Sequence, residues 1–526
     1  MNSPNKLGFR KRLNKIWILL FTMVVSFDIY AQETNDSLLN KSITIKIKNV
    51  SIYQALDKIG ENANCYFIYD SKDVNNNKKA PSIDANSIPL QTILDQLISN
   101  PNITYKVIDR HILLYQKQIE NKETIQHQPD SSGFFILGGK IFDKTTKSPI
   151  PFATVAIEKQ GLGTISNFDG VFSIRIPKHL IKSNITISYL GYQNLVVPAE
   201  LLKDKALNLY IQPRYIPIQE VFIRNIDAKG IVKSSIENKS SNYCDSDIYL
   251  TSFYREGVKR DNKYLSYAEA VFKVFKSAYT KGSGTDQVRL LKSRKLELQD
   301  RRDTLIFKLK AGIRGALDLD IVKSLPDFLD PEYMENYEYT KIDIVAYDSR
   351  SAYAIAFEQK PNISQPLYSG TLYIDVEKLT LLKAEFGINE KFVEKAANLF
   401  VLKKDKKIHV KPAEIKYTVE YRQWNDKYYI HHVRGDLSFR VRKRRQLFPD
   451  TFALFLEYVG IQIDSENVQR FSRRETLRPN IVFSDENYNY DSNFWGNLNI
   501  ISPEEDINKA LSKINPKIES ISEDQP

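Results

Sequence analysis

Long alternating strands joined by polar turns dominate the second half of this 526-residue chain and leave it few folds to choose from. The pattern runs through Tyr339 to Tyr347, Ala352 to Glu358, Tyr368 to Asp375, Leu381 to Ile388, Glu414 to Arg422 and Tyr428 to Val441. Each segment reads as a strand with one buried face. Ile248 to Glu256 and Tyr264 to Tyr279 pair across the polar turn Lys259-Arg260-Asp261-Asn262-Lys263, and Asn425-Asp426 makes a tight turn between the last two strands. Long antiparallel strands with a single apolar face must curl or be covered. Residues 227–515 are therefore expected to form a large α+β domain built on a long curled antiparallel sheet. It would carry a helix over Ile231 to Asn242 and a helical insertion from Leu317 to Leu329 that ends at Pro331. Ser502-Pro503-Glu504-Glu505 opens a further helix through Ile514, a lid or edge cover, and 516–526 is a tail.

The first residues set the compartment. Lys6, Arg10, Lys11, Arg12 and Lys15 precede an apolar run from Ile16 to Phe27, followed by Ile29-Tyr30-Ala31. This is the pattern of a secretory signal peptide over 1–31, with cleavage before Gln32. The run is well short of the ~20 residues that a spanning helix needs, and no later stretch is apolar for that length. No cysteine stands at the cleavage point to take a lipid anchor. The expected location is the periplasm, peripheral to the outer membrane at most, with no transmembrane segment after cleavage. The formal charge of +11 overstates the basicity of the exported chain, because the leader holds five positive charges and one negative. Export argues against nucleic acid as a partner and leaves anionic envelope surfaces as the target of any positive patch. Cys65 and Cys244 fall in different predicted domains, so they are expected to be buried thiols with no disulfide between them.

Residues 42–117 read as a small α+β module, βαββαββ. Ile43, Ile45 and Ile47 form a strand, and Ser51 caps a helix carrying Ile52, Ala55, Leu56 and Ile59, for which Gly60 is the expected left-handed stop. After a strand from Cys65 to Tyr69 the order recurs, with a strand near Ser82 to Ala85 and a helix carrying Leu90, Ile93, Leu94 and Leu97. Strands Ile103 to Ile108 and His111 to Tyr115 close the unit. With NVSIYQALDKI and NSIPLQTILDQLI as its helices, the segment resembles the short N-terminal domain shared by secretins and TonB-dependent transducers. The resemblance implies a periplasmic module that touches a protein partner, such as the periplasmic part of an anti-sigma regulator or an outer-membrane protein. Leu56 and Leu94 are expected in its core.

A polar linker, 118–132, leads into short strands from 133 to 212: Phe135 to Phe142, Ala153 to Glu158, Gly163 to Ser166, Val171 to Ile176, Ile185 to Tyr189 and Leu207 to Ile211. Their spacing indicates an antiparallel sandwich. GGKIFDKTTKSPIPFATVAIEKQGLGTISNFDGVFSIRIP followed by NITISYLGYQ resembles the carboxypeptidase regulatory-like domain, a prealbumin-like β-sandwich. The resemblance implies an accessory scaffold without peptidase activity. Asp169 and Gly170 are expected to serve a turn, through an Asx bond and positive φ, rather than a metal. None of His111, His127, His179, His409, His431 and His432 lies in a zinc-peptidase string.

In outer-membrane receptors these two modules precede a plug and a barrel, and IPIQEVFIRN, within a connector at 213–226, looks like the segment that follows the sandwich there. The remaining residues are too few for a plug and a 22-stranded pore, and the chain ends in Ile-Ser-Glu-Asp-Gln-Pro, so the transport role is not expected here. YSGTLYIDVEKLTLLKAEF is similar to one hairpin of lipoprotein-carrier-like half-barrels. Arg440, Arg442, Lys443, Arg444 and Arg445 form a basic run that reads either as a solvated strand end or as a contact for lipid phosphates. His431 and His432 are adjacent on a strand and are expected to face opposite ways, unable to share a metal. No nucleophile elbow, phosphate loop or paired zinc motif occurs. No catalytic, cofactor-binding or metal-binding residues are therefore expected. The chain is expected to be a non-catalytic envelope protein that binds partners through its N-terminal modules, in signalling or in an outer-membrane-associated assembly. The alternative is a periplasmic carrier that holds a lipid or lipoprotein in the C-terminal sheet.

Overall fold

A computed structural model describes residues 36–69, 78–98, 103–108, 110–116, 133–203, 206–215, 227–261, 263–281, 286–297, 308–309, 312–347, 350–403, 408–444, 446–477, 495, 498–504 and 507. The leader at 1–31, the linker at 118–132, the tail, most of the connector and terminal helix, and Arg445 lie outside them. The chain divides into two compact units, Met1–Glu123 and Thr124–Pro526.

The first unit has the βαββαββ order: β1 (Ser42–Ile47), α1 (Ile52–Ala63), β2 (Tyr66–Tyr69), β3 (Ile83–Pro89), α2 (Leu90–Leu97), β4 (Ile103–Ile108) and β5 (His111–Gln116). β1 pairs antiparallel with β3, while β5 pairs parallel with β2 and antiparallel with β4. Ser51 and Gln54 close a capping box at the start of α1. Its end differs from expectation. The helix continues through Gly60 to Ala63, and Asn64 takes the left-handed conformation at φ 58°. Gly60 is small for a different reason, since a Cβ there would stand 2.8 Å from the Cys65 carbonyl oxygen. Leu56 and Leu94 are buried with Ile43, Ile59, Ile93 and Ile112. The Cys65 thiol, also buried, is pushed up to about 11 by burial.

The second unit begins with the sandwich: β6 (Phe134–Asp143), β7 (Thr154–Ile157), β8 (Gly163–Ile165), β9 (Val171–Pro177), β10 (Asn184–Ser188), β11 (Leu195–Pro198) and β12 (Ala206–Ile211). One sheet runs β11-β10-β7-β8. In the other, β6 is flanked by β9, antiparallel, and by β12, parallel. The sandwich is thus not wholly antiparallel. The turn before β9 uses a different residue from the one expected: Asn167 Oδ1 accepts from the N–H groups of Asp169 and Val171, and Gly170 takes φ 77°.

Then come α3 (Ala228–Glu237), β13 (Ile248–Arg260), β14 (Lys263–Lys276), β15 (Gln287–Glu297), β16 (Lys308–Leu309), α4 (Ile313–Asp318) and α5 (Ile321–Ser324). The expected single insertion is therefore two short helices broken at Asp320. They are followed by β17 (Tyr337–Tyr347), β18 (Arg350–Gln359), β19 (Tyr368–Asp375), β20 (Leu381–Ile388), β21 (Val401–Lys403), β22 (Ile408–Trp424), β23 (Lys427–Lys443) and β24 (Asp450–Asp464). Ten of these strands make one open, wholly antiparallel sheet in the order β15-β14-β13-β24-β23-β22-β20-β19-β18-β17. Asn425 and Asp426, both at positive φ, turn β22 into β23 as expected.

One face of the sheet is filled by its own core. Phe328 stacks on Phe357 with centroids 4.4 Å apart and packs on Phe386 at 5.1 Å, while Ile313, Leu317 and Val322 bring α4 and α5 into the same cluster. A buried polar node pins these helices. Asp320 receives Lys276 at 2.6 Å and the Tyr421 hydroxyl at 2.8 Å, and Lys323 reaches Asp286 at 2.6 Å. Burial opposes ionisation of Asp286, but Lys276 and Lys323 outweigh it and bring its pKa down to about 2.

Candidate functional site

The other face of the sheet meets the sandwich, and charge is concentrated there. Arg294, Glu269, Arg255, Glu457 and Arg434 are successive register partners on β15, β14, β13, β24 and β23. The result is one row of alternating sign across five strands, because directly opposed residues on one face are nearest neighbours. Arg294 lies 2.6 Å from Glu269 and Arg255 lies 2.5 Å from Glu457, all four side chains nearly or wholly removed from solvent. Arg434 stands 3.7 Å from Glu457. A second row follows on the neighbouring strands: His432 Nε2 is 3.1 Å from Glu457, and Glu420 is 2.9 Å from Lys383. Burial alone would raise the Glu457 carboxyl, but Arg255, His432 and Arg434 prevail and hold it well below the usual carboxylate range.

The cover over these rows comes from two parts of the chain. Phe152 of the sandwich stacks near His432 at 5.2 Å, and the Asn167 amide donates to the carbonyls of Ser502 and Pro503. Glu504 lies 3.2 Å from Arg255, so residues 502–504 add a carboxylate to the row. Trp495 packs on Phe253. The approach is close enough to require small residues, since a Cβ at Gly161 would stand 2.8 Å from the Ile463 carbonyl oxygen.

His431 and His432 do not behave as a regular strand requires. Glu420 opposes His432 while Tyr421 opposes Ile430, which leaves His431 as the extra residue of a β-bulge. The bulge breaks the alternation, and both imidazoles lie on the sandwich side. His432 meets Phe152 and Glu457, while His431 accompanies Thr154 and Tyr189 in a cleft of about 50 Å³. Among the described residues no group of three or more potential ligands could hold a metal. Arg422 lines the same cleft with no hydrogen bond or ion pair to any described residue, and its Nη1 is buried unpaired. Burial pushes its pKa down to about 10. Burial, then the Arg422 and His432 charges, push His431 well below 6.5 and keep it neutral.

Asp169 lies in the turn before β9, where its N–H donates to Asn167 Oδ1. Cys65 and Cys244 are free and buried. Of the basic run, Arg440, Arg442, Lys443 and Arg444 are exposed. Sequence reasoning missed Arg255, Glu457, Glu269, Arg294 and Arg422. The signal available to it was Glu269 and Glu457, single carboxylates within the apolar runs Tyr267 to Phe272 and Phe455 to Ile461, whereas Arg294 and Arg422 stand among other charged residues on β15 and β22.

Residues 65–117 match the family of the secretin and TonB N terminus short domain, and residues 137–223 match the CarboxypepD_reg-like domain. No curated protein matches the chain. Among solved structures, it is similar to a LolA superfamily protein from Nitrosomonas europaea at 10% identity, covering 48% of this chain and 98% of that one, with a TM-score of 0.19. A DUF1329 family protein from Desulfovibrio piger is 10% identical, covering 46% and 95%, with a TM-score of 0.21. The ferripyoverdine receptor of the outer membrane of Pseudomonas aeruginosa is 9% identical, covering 76% and 56%, with a TM-score of 0.14. The two matched domains are binding modules and point to the cell envelope.

Proposed function

We propose that this chain is a non-catalytic envelope protein that engages a protein partner through its N-terminal modules, in signalling or in an outer-membrane-associated assembly. One observation carries the reading. β1 and β3 form a two-stranded ribbon whose outer edges have no strand partner among the described residues, within a module of a partner-binding family. Ile43, Ile45 and Ile47 are buried, which fixes the ribbon's register, while Ser42, Thr44 and Lys46 face outward. Unpaired edge N–H and C=O groups accept an added strand, and alternate side chains then supply selectivity. The sandwich, clamped to the large sheet, serves as a rigid platform for the rest.

The test is site-specific photo-crosslinking in cells, with the reactive side chain placed at Thr44 or Lys46 and, as control, at Asp426 on the β22–β23 turn of the second unit. A discrete adduct with one envelope protein from the ribbon positions and none from Asp426 supports the reading. Absence of any adduct from either ribbon position sinks it.

The second reading, carriage of an apolar ligand, has the openness of the ten-stranded sheet in its favour. A ligand would have to share the hollow with Phe328, Phe357 and Phe386. Near-stoichiometric lipid in a solvent extract of the purified protein would favour this reading over the first.

A further inference from the structure

The β23–β24 hairpin ends in an apolar tip that the core does not use. Leu447 and Phe448 leave 87% and 80% of their surfaces exposed. Single exposed apolar residues are ordinary, but two large neighbours at the outermost point of a hairpin form a protruding apolar wedge. The loop that presents them is braced. Gln446 accepts from the Lys443 N–H at 3.2 Å and donates to Asp450 at 2.7 Å, so the tip points outward by construction.

Positive charge surrounds the wedge. Arg440, Arg442, Lys443 and Arg444 are exposed on the strand that leads to it. The β13–β14 turn stands at the same end of the sheet, because Arg260 opposes Phe452 and the Asp261 N–H donates to the Thr451 carbonyl at 3.0 Å. That turn adds Lys259, Arg260 and Lys263. Of the nearby carboxylates, Glu394 is paired with Lys411, while Asp450 and Asp261 bond neutral groups and are outnumbered by the seven cations named above. The end of the sheet therefore presents net positive charge around an apolar point.

We propose that this tip docks the protein on an anionic phospholipid surface, with Leu447 and Phe448 entering the headgroup boundary and the surrounding arginines and lysines on lipid phosphates. Apolar insertion and basic contacts reinforce each other at such a surface, since each supplies what the other lacks. A polar protein partner would not reward exposed Leu447 and Phe448, and a purely apolar one would not reward the basic ring. The inference rests on the chemistry of the tip and is independent of the β1–β3 partner reading.

The experiment uses the full mature chain in flotation assays with phosphatidylglycerol vesicles, against phosphatidylcholine vesicles. Flotation with the anionic vesicles alone, weakened at high salt, is expected. Leu447→Ser and Phe448→Ser should each weaken affinity by about tenfold, and Arg442→Gln with Lys443→Gln should flatten the salt dependence. All these side chains are exposed, so the thermal transition of each variant should match that of the parent. No flotation with anionic vesicles overturns the proposal, as does equal flotation with both lipids or unchanged affinity in the Leu447 and Phe448 variants. A dimer in solution that dissociates on Phe448→Ser also overturns it, by assigning the tip to a second copy.

Discussion

Arg255 and Glu457 face each other on adjacent strands, Nε to Oε2 at 2.5 Å, with neither side chain exposed to solvent. Their pairing is the centre of the five-strand charge row, and Glu457 serves Arg255, Arg434 and His432 at once. Removing one member of a buried pair leaves the other uncompensated, which costs more than the pair itself contributes. Glu457→Gln should therefore destabilise the second unit by about 3–5 kcal/mol. The double change Arg255→Met with Glu457→Leu should recover much of that loss. Denaturant unfolding of the parent, the Glu457→Gln variant and the double variant tests both statements. Equal stability of parent and single variant would show the row to be energetically idle.

Mild acid should weaken the fold through His431. Its folded pKa lies well below 6.5, so under more acidic conditions the unfolded chain binds a proton that the folded chain refuses. Stability from this group is present above 6.5 and declines as pH falls below it. Denaturation midpoints measured from about pH 7 to pH 5 should fall, and His431→Gln should flatten that slope. Parallel slopes in parent and variant would remove His431 from the account. Glu457 acts lower: its stabilisation is present above its ordinary value of 4.5 and is lost as the pH falls further below that.

Arg422 gives the opposite kind of prediction. A buried guanidinium with no described partner costs free energy that an apolar side chain of similar length avoids. Arg422→Met should raise stability by about 1 kcal/mol, read as a higher urea midpoint at unchanged m. A loss of stability instead would mean that the cleft holds an anion that Arg422 serves.

Leu56→Asp should unfold the first unit by placing an unpaired carboxylate among Ile43, Ile59 and Leu94, at a cost of about 3 kcal/mol or more. Calorimetry of the full chain should lose the transition of the first unit and keep that of the second. A single shifted transition would show that the two units melt as one.

Much of this was legible from the residues. Tyr368–Asp375 and Leu381–Ile388 were read to the residue because Leu372, Ile374, Leu382, Ala384 and Phe386 alternate in sequence with Thr371, Tyr373, Lys383 and Glu385, although burial along these strands does not alternate. β24 was not read at all. It lies in the middle of the sheet, and from Phe455 to Ile461 every residue is buried, so the period-two signal vanishes where the strand matters most. The bulge at His431 was invisible for a different reason: a bulge is a disagreement between two registers, and neither strand records it alone. The charge row has the same origin. Arg255 and Glu457 are separated by some two hundred residues, and only the register brings them opposite each other.

The position of β24 also bears on how the chain is made. It is the last of the ten strands to leave the ribosome, yet it lies between β13 and β23. Until residues 450–464 emerge, the sheet exists at most as two separate pieces, each ending in a bare apolar edge that could pair with another chain. Completion must then join segments far apart in sequence, which makes the closing step slow. A truncation just before Asp450 would thus remove one strand and leave two sticky half-sheets.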